Sequence, residues 1–576
     1  MKKYYIIIFF ISIILQSCES FLEETPYNKI TGGNFYTTSS GVKHGVNGLY
    51  SELRIIYHDG HSVYMLEAPS DIYVAAEAMD IEFRTWIIDA TSGNVNWFWS
   101  KCYTIANQAN SVIDALENNE FTDLSEALRK QYLGEARFIR ANVYYHLVQQ
   151  FGDVPLETEP TVTVKTEAFR APESQVWDLI IEDLKYGVDN LPESYQASEL
   201  GRVTKYAAMH HLARVYLTVK RDNEDLQQAK KLTEAVINSG KYKLVDSHKY
   251  LWDMANQKNS EIIFSSLFTQ NVELNGPGNK LHVFYTASYS DQFPAVIERN
   301  IADGRPWSRV RPSWFLQDLY NEENDQRWDD CFRTKWYVTR TSTKTTMFNP
   351  TTKKNEEITW NKGDLAMMIP KQLWTKEQVA DKWPVWVFLP DTMRSKIPES
   401  AVQSESNPNA EWPSNTRFQS GTMYSTLIKN QDPERPSVNH MNGSRDIFIF
   451  RLADTYLLAA EACHLLNDNV KAAEYINTVR KRAAKIGKEE DFKITSSDVS
   501  IDFILNERAR ELGGEGHRWY DLKRTDKLFE RMNNPNMNAS VAGLFKDYHQ
   551  LRPIPRNQLT RITNPSDFPQ NPGYGD

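Results

Sequence analysis

Only four cysteines occur in 576 residues: Cys18, Cys102, Cys331 and Cys463. Scattered singly, they make neither a disulfide framework nor a CxxC metal or redox motif. HExxH, Walker, GxSxG and EF-hand patterns are all missing, which removes the common signatures of metalloprotease, nucleotide, hydrolase and calcium chemistry. An excess of basic charge is missing too. The net charge of −9 and pI near 5.8 exclude the usual footprint of nucleic-acid binding, a basic surface that neutralises phosphates. No apolar run reaches the roughly 20 residues that a membrane-crossing helix needs.

What is present begins at the first residues. The apolar stretch Tyr4 to Leu15 follows Lys2 and Lys3 and stops at Gln16-Ser17-Cys18. Its length and charge order predict a secretory signal over residues 1–17. Leu15-Gln16-Ser17-Cys18 matches the bacterial lipobox pattern, except that Gln16 stands where a small residue is usual. Cys18 is therefore the expected lipidation site, and several acyl chains on one cysteine make a stable anchor. Residues 18–33 carry Pro26, Gly32 and Gly33 and no helical period. They read as a leader able to extend on the order of 50 Å.

Two stretches, 34–270 and 441–576, carry helical patterning. In "TDLSEALRKQYLGEARFIRANVYYHLVQQFGDVP", Leu124, Leu128, Tyr132, Ala136, Ile139, Val143 and Leu147 recur at steps of three and four. Asp123 with Glu126 has capping-box spacing, and Pro172 is placed for the first turn of the next helix. Ala207, Ala208, Ala459, Ala460, Ala472 and Ala473 allow close helix crossing, so the helix pairs read as tetratricopeptide-like hairpins of irregular period. Cys102 and Cys463 fall in helical stretches as small buried thiols. Adjacent His210 and His211 point in different directions on a helix and cannot share a metal. The fold class is mostly α: a helix-hairpin scaffold with a long loop-rich insert.

That insert, residues 271–440, loses the pattern. Pro, Gly, Asn, Ser and Thr dominate, with short strand-like pieces such as Val385 to Leu389, and nine of the fifteen tryptophans lie here. Most must pack into a core of the insert's own. The remainder are candidate platforms, because a ring face suits the apolar C–H face of a sugar and its edge can hydrogen-bond.

Several segments together resemble the SusD/RagB family, surface lipoproteins of Bacteroidetes-type bacteria. They are "CESFLEETP", "LGEARFIRANVYYHLVQQFGDVP", "GRVTKYAAMHHLARVYL", "ILNERARELGGEGHRWYDLKR" and the closing "HQLRPIPRNQLTRITNPSDFPQNPGYGD". The resemblance runs from the lipobox to the last residue. It implies a non-catalytic glycan-binding protein that delivers its cargo to a SusC-like TonB-dependent transporter, held at the outer membrane by lipid. It also implies ligand contacts from two variable places, about 71–97 and 280–315. The residues there with suitable chemistry are Arg84, Trp86, Asn94, Tyr285, Trp307 and Arg309. Trp97 and Trp99 are weaker candidates, since Trp99 and Tyr103 fit a buried helix start.

Glu507, Arg510, Glu511, Arg518, Asp521 and Arg524 have i,i+3 and i,i+4 spacing and read as fold-holding ion pairs, with His517 among them. Two other functions compete with glycan capture. A peptide-binding member of the family would use backbone edges more than rings. A surface glycoside hydrolase would need two carboxylates about 5–10 Å apart, and no pattern marks such a pair. No cofactor is expected. Asp325, Asp329 and Asp330 could contribute to a calcium site, though no motif supports one.

Overall fold

The computed structural model of the chain describes residues 35–575 apart from 77, 78, 272–275 and 277. The signal run, Cys18 and the leader expected over 18–33 lie outside the described residues.

Helices begin where a short oxygen-bearing side chain can take a free amide. Thr38 caps α1 (Ser39–Tyr57) and Asp59 caps α2 (Gly60–Leu66). The short α3 (Ile81–Thr85) precedes α4 (Gly93–Asn118), which Ser92 caps. Ser125, not Asp123, caps α5 (Glu126–Phe151), accepting from the Leu128 amide at 3.3 Å. This corrects the expected Asp123–Glu126 capping box. Ser125 directly precedes the first helical residue, while Asp123 accepts a hydrogen bond from Ser39. Gly152 ends α5 with φ +70. Pro172 stands one residue before α6 (Glu173–Asn190), which is followed by α7 (Lys205–Val219) and α8 (Asn223–Ile237).

Consecutive helices α4 to α8 pack each on the next, with α1 against α4. The C-terminal territory supplies α10 (Leu452–Leu465), α11 (Asn469–Ala483), α12 (Ile501–Leu512) and α13 (Arg518–Arg524). The short helix α9 (Leu281–Tyr285) lies near the start of the insert. Helix α8 packs on α10, which joins the two helical territories. Strand β2 (Ile262–Ser266), pairing with β10 (Ile447–Arg451), joins them again. One hydrophobic core accordingly runs from Val42 to Phe568. Ala459, Ala460 and Ala472 are fully buried where α10 meets α11, as their small size requires. Cys102, Cys331 and Cys463 are buried free thiols.

The insert has regular structure of its own. Strands β4 (Lys335–Tyr337), β7 (Leu365–Met368), β8 (Trp386–Leu389) and β9 (Thr416–Phe418) form a sheet in the order β9-β8-β7-β4. Strands β5 (Thr343–Phe348) and β6 (Asn355–Trp360) form a hairpin beside it. Trp336, Trp360, Phe293 and Phe388 pack a separate core there. Of the nine insert tryptophans, Trp328, Trp336 and Trp360 are buried and the other six are half-buried.

The signature near the C-terminus builds a buried ion network. Glu507 binds Arg327, Arg480 and Arg510, and Glu511 binds Arg327, Arg451, Arg482 and His248. Asp454 takes Arg508, Arg214 and His210, while Arg518 reaches back to Asp71 at 2.6 Å. These are fold-holding pairs, but only Arg510–Glu507 and Arg524–Asp521 use the i,i+3 spacing. The side chains face inward, so each buried charge is neutralised by whichever element faces it. His517 is buried among them, and burial and the Arg214 charge push it down to about 3. Asp325 is held by Arg327, Asp329 faces Lys485 and Asp330 accepts from the Lys249 amide. These three aspartates do not converge, and no group of three potential metal ligands occurs among the described residues.

Candidate functional site

The two loops singled out by the sequence are joined by a short ladder. Strand β1 (Tyr73–Ala75) pairs antiparallel with β3 (Val310–Pro312), and the Ala76 amide donates to the Arg309 carbonyl at 3.0 Å. The segment before β3 is tied to α9 by amides of Trp307 and Arg309 donating to Val283 and Phe284. Ser308 between them adopts φ 48, and its buried hydroxyl bonds Ser288 and the Thr286 carbonyl. That local turn is fixed by the protein interior, so it presents Trp307 and Arg309 without needing a ligand to order them.

Arg309 donates to Asp80 at 3.1 Å, with both side chains partly exposed. Its guanidinium lies 5.2 Å from the Trp307 ring centroid, and Arg305 lies 5.7 Å from the same ring. The other oxygen of Asp80 accepts from the Asn94 amide at 2.9 Å, and the same amide donates to Glu82 at 2.7 Å. His61 donates to the Asn94 oxygen at 2.6 Å, and its ring stacks on Trp97 with centroids 4.5 Å apart. A continuous polar chain, His61–Asn94–Asp80–Arg309, therefore runs between two half-buried indoles, Trp97 and Trp307. Beneath it lies Tyr64, whose phenol is pushed up by burial and the Asp80 charge. Two ring faces with carboxylate and guanidinium groups between them can hold a polyhydroxylated ring: apolar contact on the face, paired hydrogen bonds at the rim.

The six expected residues divide. Trp307 and Arg309 come together at this surface. Asn94 is buried beneath it and links its polar groups. Arg84 is exposed in the last turn of neighbouring α3. Two expectations are corrected. Trp86 is 3% exposed, packed edge-on to Phe545 with centroids 4.7 Å apart and stacked near Trp519. Tyr285 is 2% exposed, edge-on to Tyr73 at 5.4 Å. Both rings are drawn inward because core segments distant in sequence supply apolar partners. His61, Asp80 and Glu82 were missed: their significance comes from Asn94, which gathers them from the start of α2 and the start of α3. Glu67 was missed as well. The amides of Gly514 and Gly516 each donate to its carboxylate at 2.9 Å, and burial raises its pKa to about 7.

A profile of the SusD family matches residues 260–574, over half of the chain. The chain belongs to the SusD family. A second profile, described as starch-binding associating with outer membrane, matches residues 20–217. SusD-like protein P25 of Formosa agariphila is 26% identical over 563 residues, covering 94% of each chain. The starch-binding protein SusD of Bacteroides thetaiotaomicron is 35% identical over 135 residues, 22% of each chain. A solved SusD homolog from Bacteroides thetaiotaomicron gives a TM-score of 0.67 at 20% identity, over 94% of this chain and 98% of that one. A laminarin-binding SusD-like protein gives 0.62 at 22% identity, over 94% and 100%. At such identities the likeness is one of fold, and it is the SusD fold. No helix among the described residues is long and apolar enough to cross a membrane.

Proposed function

We propose that this protein is a non-catalytic glycan-binding lipoprotein of the outer-membrane surface. It captures an oligosaccharide between Trp97 and Trp307 and passes it to a SusC-like TonB-dependent transporter. The observation that carries this reading is the chain of hydrogen-bonding groups set between two partly exposed indoles. The family supports it, as do relatives named for starch and laminarin binding. Affinity electrophoresis against a polysaccharide panel, with a peptide library in parallel, tests the reading. Retardation by a glycan with no sugar released is expected. Sugar release, or binding of peptides alone, would overturn it.

The signal, the leader over 18–33 and lipidated Cys18 complete the proposal as the tether. Replacing Cys18 with Ala should free the folded protein from the membrane fraction. Sedimentation with membranes after a high-salt wash would refute the lipid anchor. Co-purification from solubilised outer membrane should recover a barrel transporter with the wild-type protein.

A further inference from the structure

The sheet of the insert carries a cation, Arg417, that makes no ion pair among the described residues. Strands β8 and β9 run parallel and place Arg417 beside Phe388 in register. The Arg417 guanidinium lies 4.2 Å from the Trp386 ring centroid. Phe293 stacks on the same ring at 4.1 Å and 3°, so the two groups must take opposite faces. Nη1 of Arg417 donates to the carbonyls of Ser414 and Thr416 at 2.9 and 2.7 Å. No ion pair among the described residues includes Arg417. A largely desolvated guanidinium on an aromatic wall is incomplete without a carboxylate-like partner, whose planar oxygens its fork is shaped to accept.

Beside it opens a cavity of about 600 Å³, lined by Phe348, Trp386, Gln403, Thr416, Arg417 and Phe418 among others. That volume falls within the range of small-ligand sites. Trp386 Nε1, Gln403 Oε1 and Thr416 Oγ1 of this lining have no hydrogen-bond partner among the described residues. Arg394, exposed at the rim, lies 5.8 Å from the Phe418 ring and also enters no ion pair among the described residues. Glu399 and Glu405 line the rim as well, but both are exposed to water and neither pairs with Arg417.

We propose that this cavity is a second saccharide site, which takes a sugar bearing a carboxylate or sulfate group and seats that group on Arg417. Phe348 and Phe418 give the ring its apolar contact. The site shares none of the polar chain between Trp97 and Trp307. It rests on the glycan-binding reading above and adds the charge of the glycan to it.

Titration of the full chain with polygalacturonate, dextran sulfate and uncharged dextran tests the proposal. At least one charged polymer should bind, more weakly as salt rises, and the two charged arms separate carboxylate from sulfate. Arg417→Met keeps the stem over Trp386 and should weaken that binding at least about tenfold. Binding of neutral glycans should not change. Gln403→Glu, which adds a carboxylate to the same wall, should weaken charged binding too and serves if the arginine variant does not fold. Undiminished charged binding in a folded variant would overturn the proposal. Failure of both charged polymers to bind wild type would also overturn it. If neutral glycans still bind in that case, the first site stands; if no glycan binds, the glycan reading falls with it.

Discussion

Trp86 and Trp307 carry the same indole in loops that lie side by side, yet their energetics should be opposite. Trp86 is enclosed by Phe545, Trp519 and His549. Truncating it to Ala removes contacts that nothing refills and should cost about 3–5 kcal/mol of folding stability. Trp307 is half-buried beside Arg305 and Arg309. Its replacement by Ala should weaken glycan binding by about 2 kcal/mol, roughly thirtyfold in Kd, with a much smaller change in melting temperature. Calorimetric titration and a melting curve on each variant check the pair. Intact binding in the Trp307 variant would remove that ring from the site.

At the scale of elements, the turn between α12 and α13 joins the signature helices to the loop that leads into β1. Gly514 has φ +86 and Gly516 φ +79, and this backbone aims two amides at Glu67. A Cβ on Gly514 would stand 2.3 Å from Leu427 Cδ2 in addition to the strained φ. Gly514→Ala should therefore cost upwards of about 2 kcal/mol, since backbone strain and overpacking act together. A melting temperature equal to wild type would show that the turn relaxes freely. The neighbouring helices are buried more fully than a one-sided stripe implies. The second half of α5 is buried on every face, with α1, α4 and α6 all packed against the helix.

For the whole molecule, the buried charges set the response to acid. Neighbouring cations hold Glu515 and Asp521 down to about 2 against the opposing effect of burial. Their folded values lie below the unfolded ones, so their stabilisation is full above about pH 4.3 and is lost as pH falls toward 2. Burial also pushes His146 and His248 down to about 3. Below about pH 6.5 the unfolded chain takes up those protons and the folded one does not, so stability falls from there as well. Glu67 at about 7 and Asp446 at about 6 work the other way, losing stability as pH rises between their unfolded and folded values. The depressed groups are more numerous. Stability should climb between about pH 3 and 6.5, steepest in the lower part of that range. Urea midpoints across this range check the prediction, and a flat profile would contradict the network's role.

The sequence by itself determined the helical territories, the buried alanines and cysteines, and the membership of Glu507, Glu511 and Asp521 in a structural network. Helical period, small size and charge pattern are local properties that survive whatever the rest of the chain does. It also located the two loops that meet at the Trp97–Trp307 surface, through motifs shared with the SusD family. Tertiary structure alone decided which rings remain exposed. Trp86 was lost to the core because Phe545 and Trp519, hundreds of residues away, fold over it. His61, Asp80 and Glu82 became a polar chain because one Asn94 side chain reaches all three. Arg417 makes no ion pair among the described residues because the parallel β8–β9 pairing sets it over Trp386. Exposure and pairing are properties of contacts between distant segments, and no local pattern encodes them.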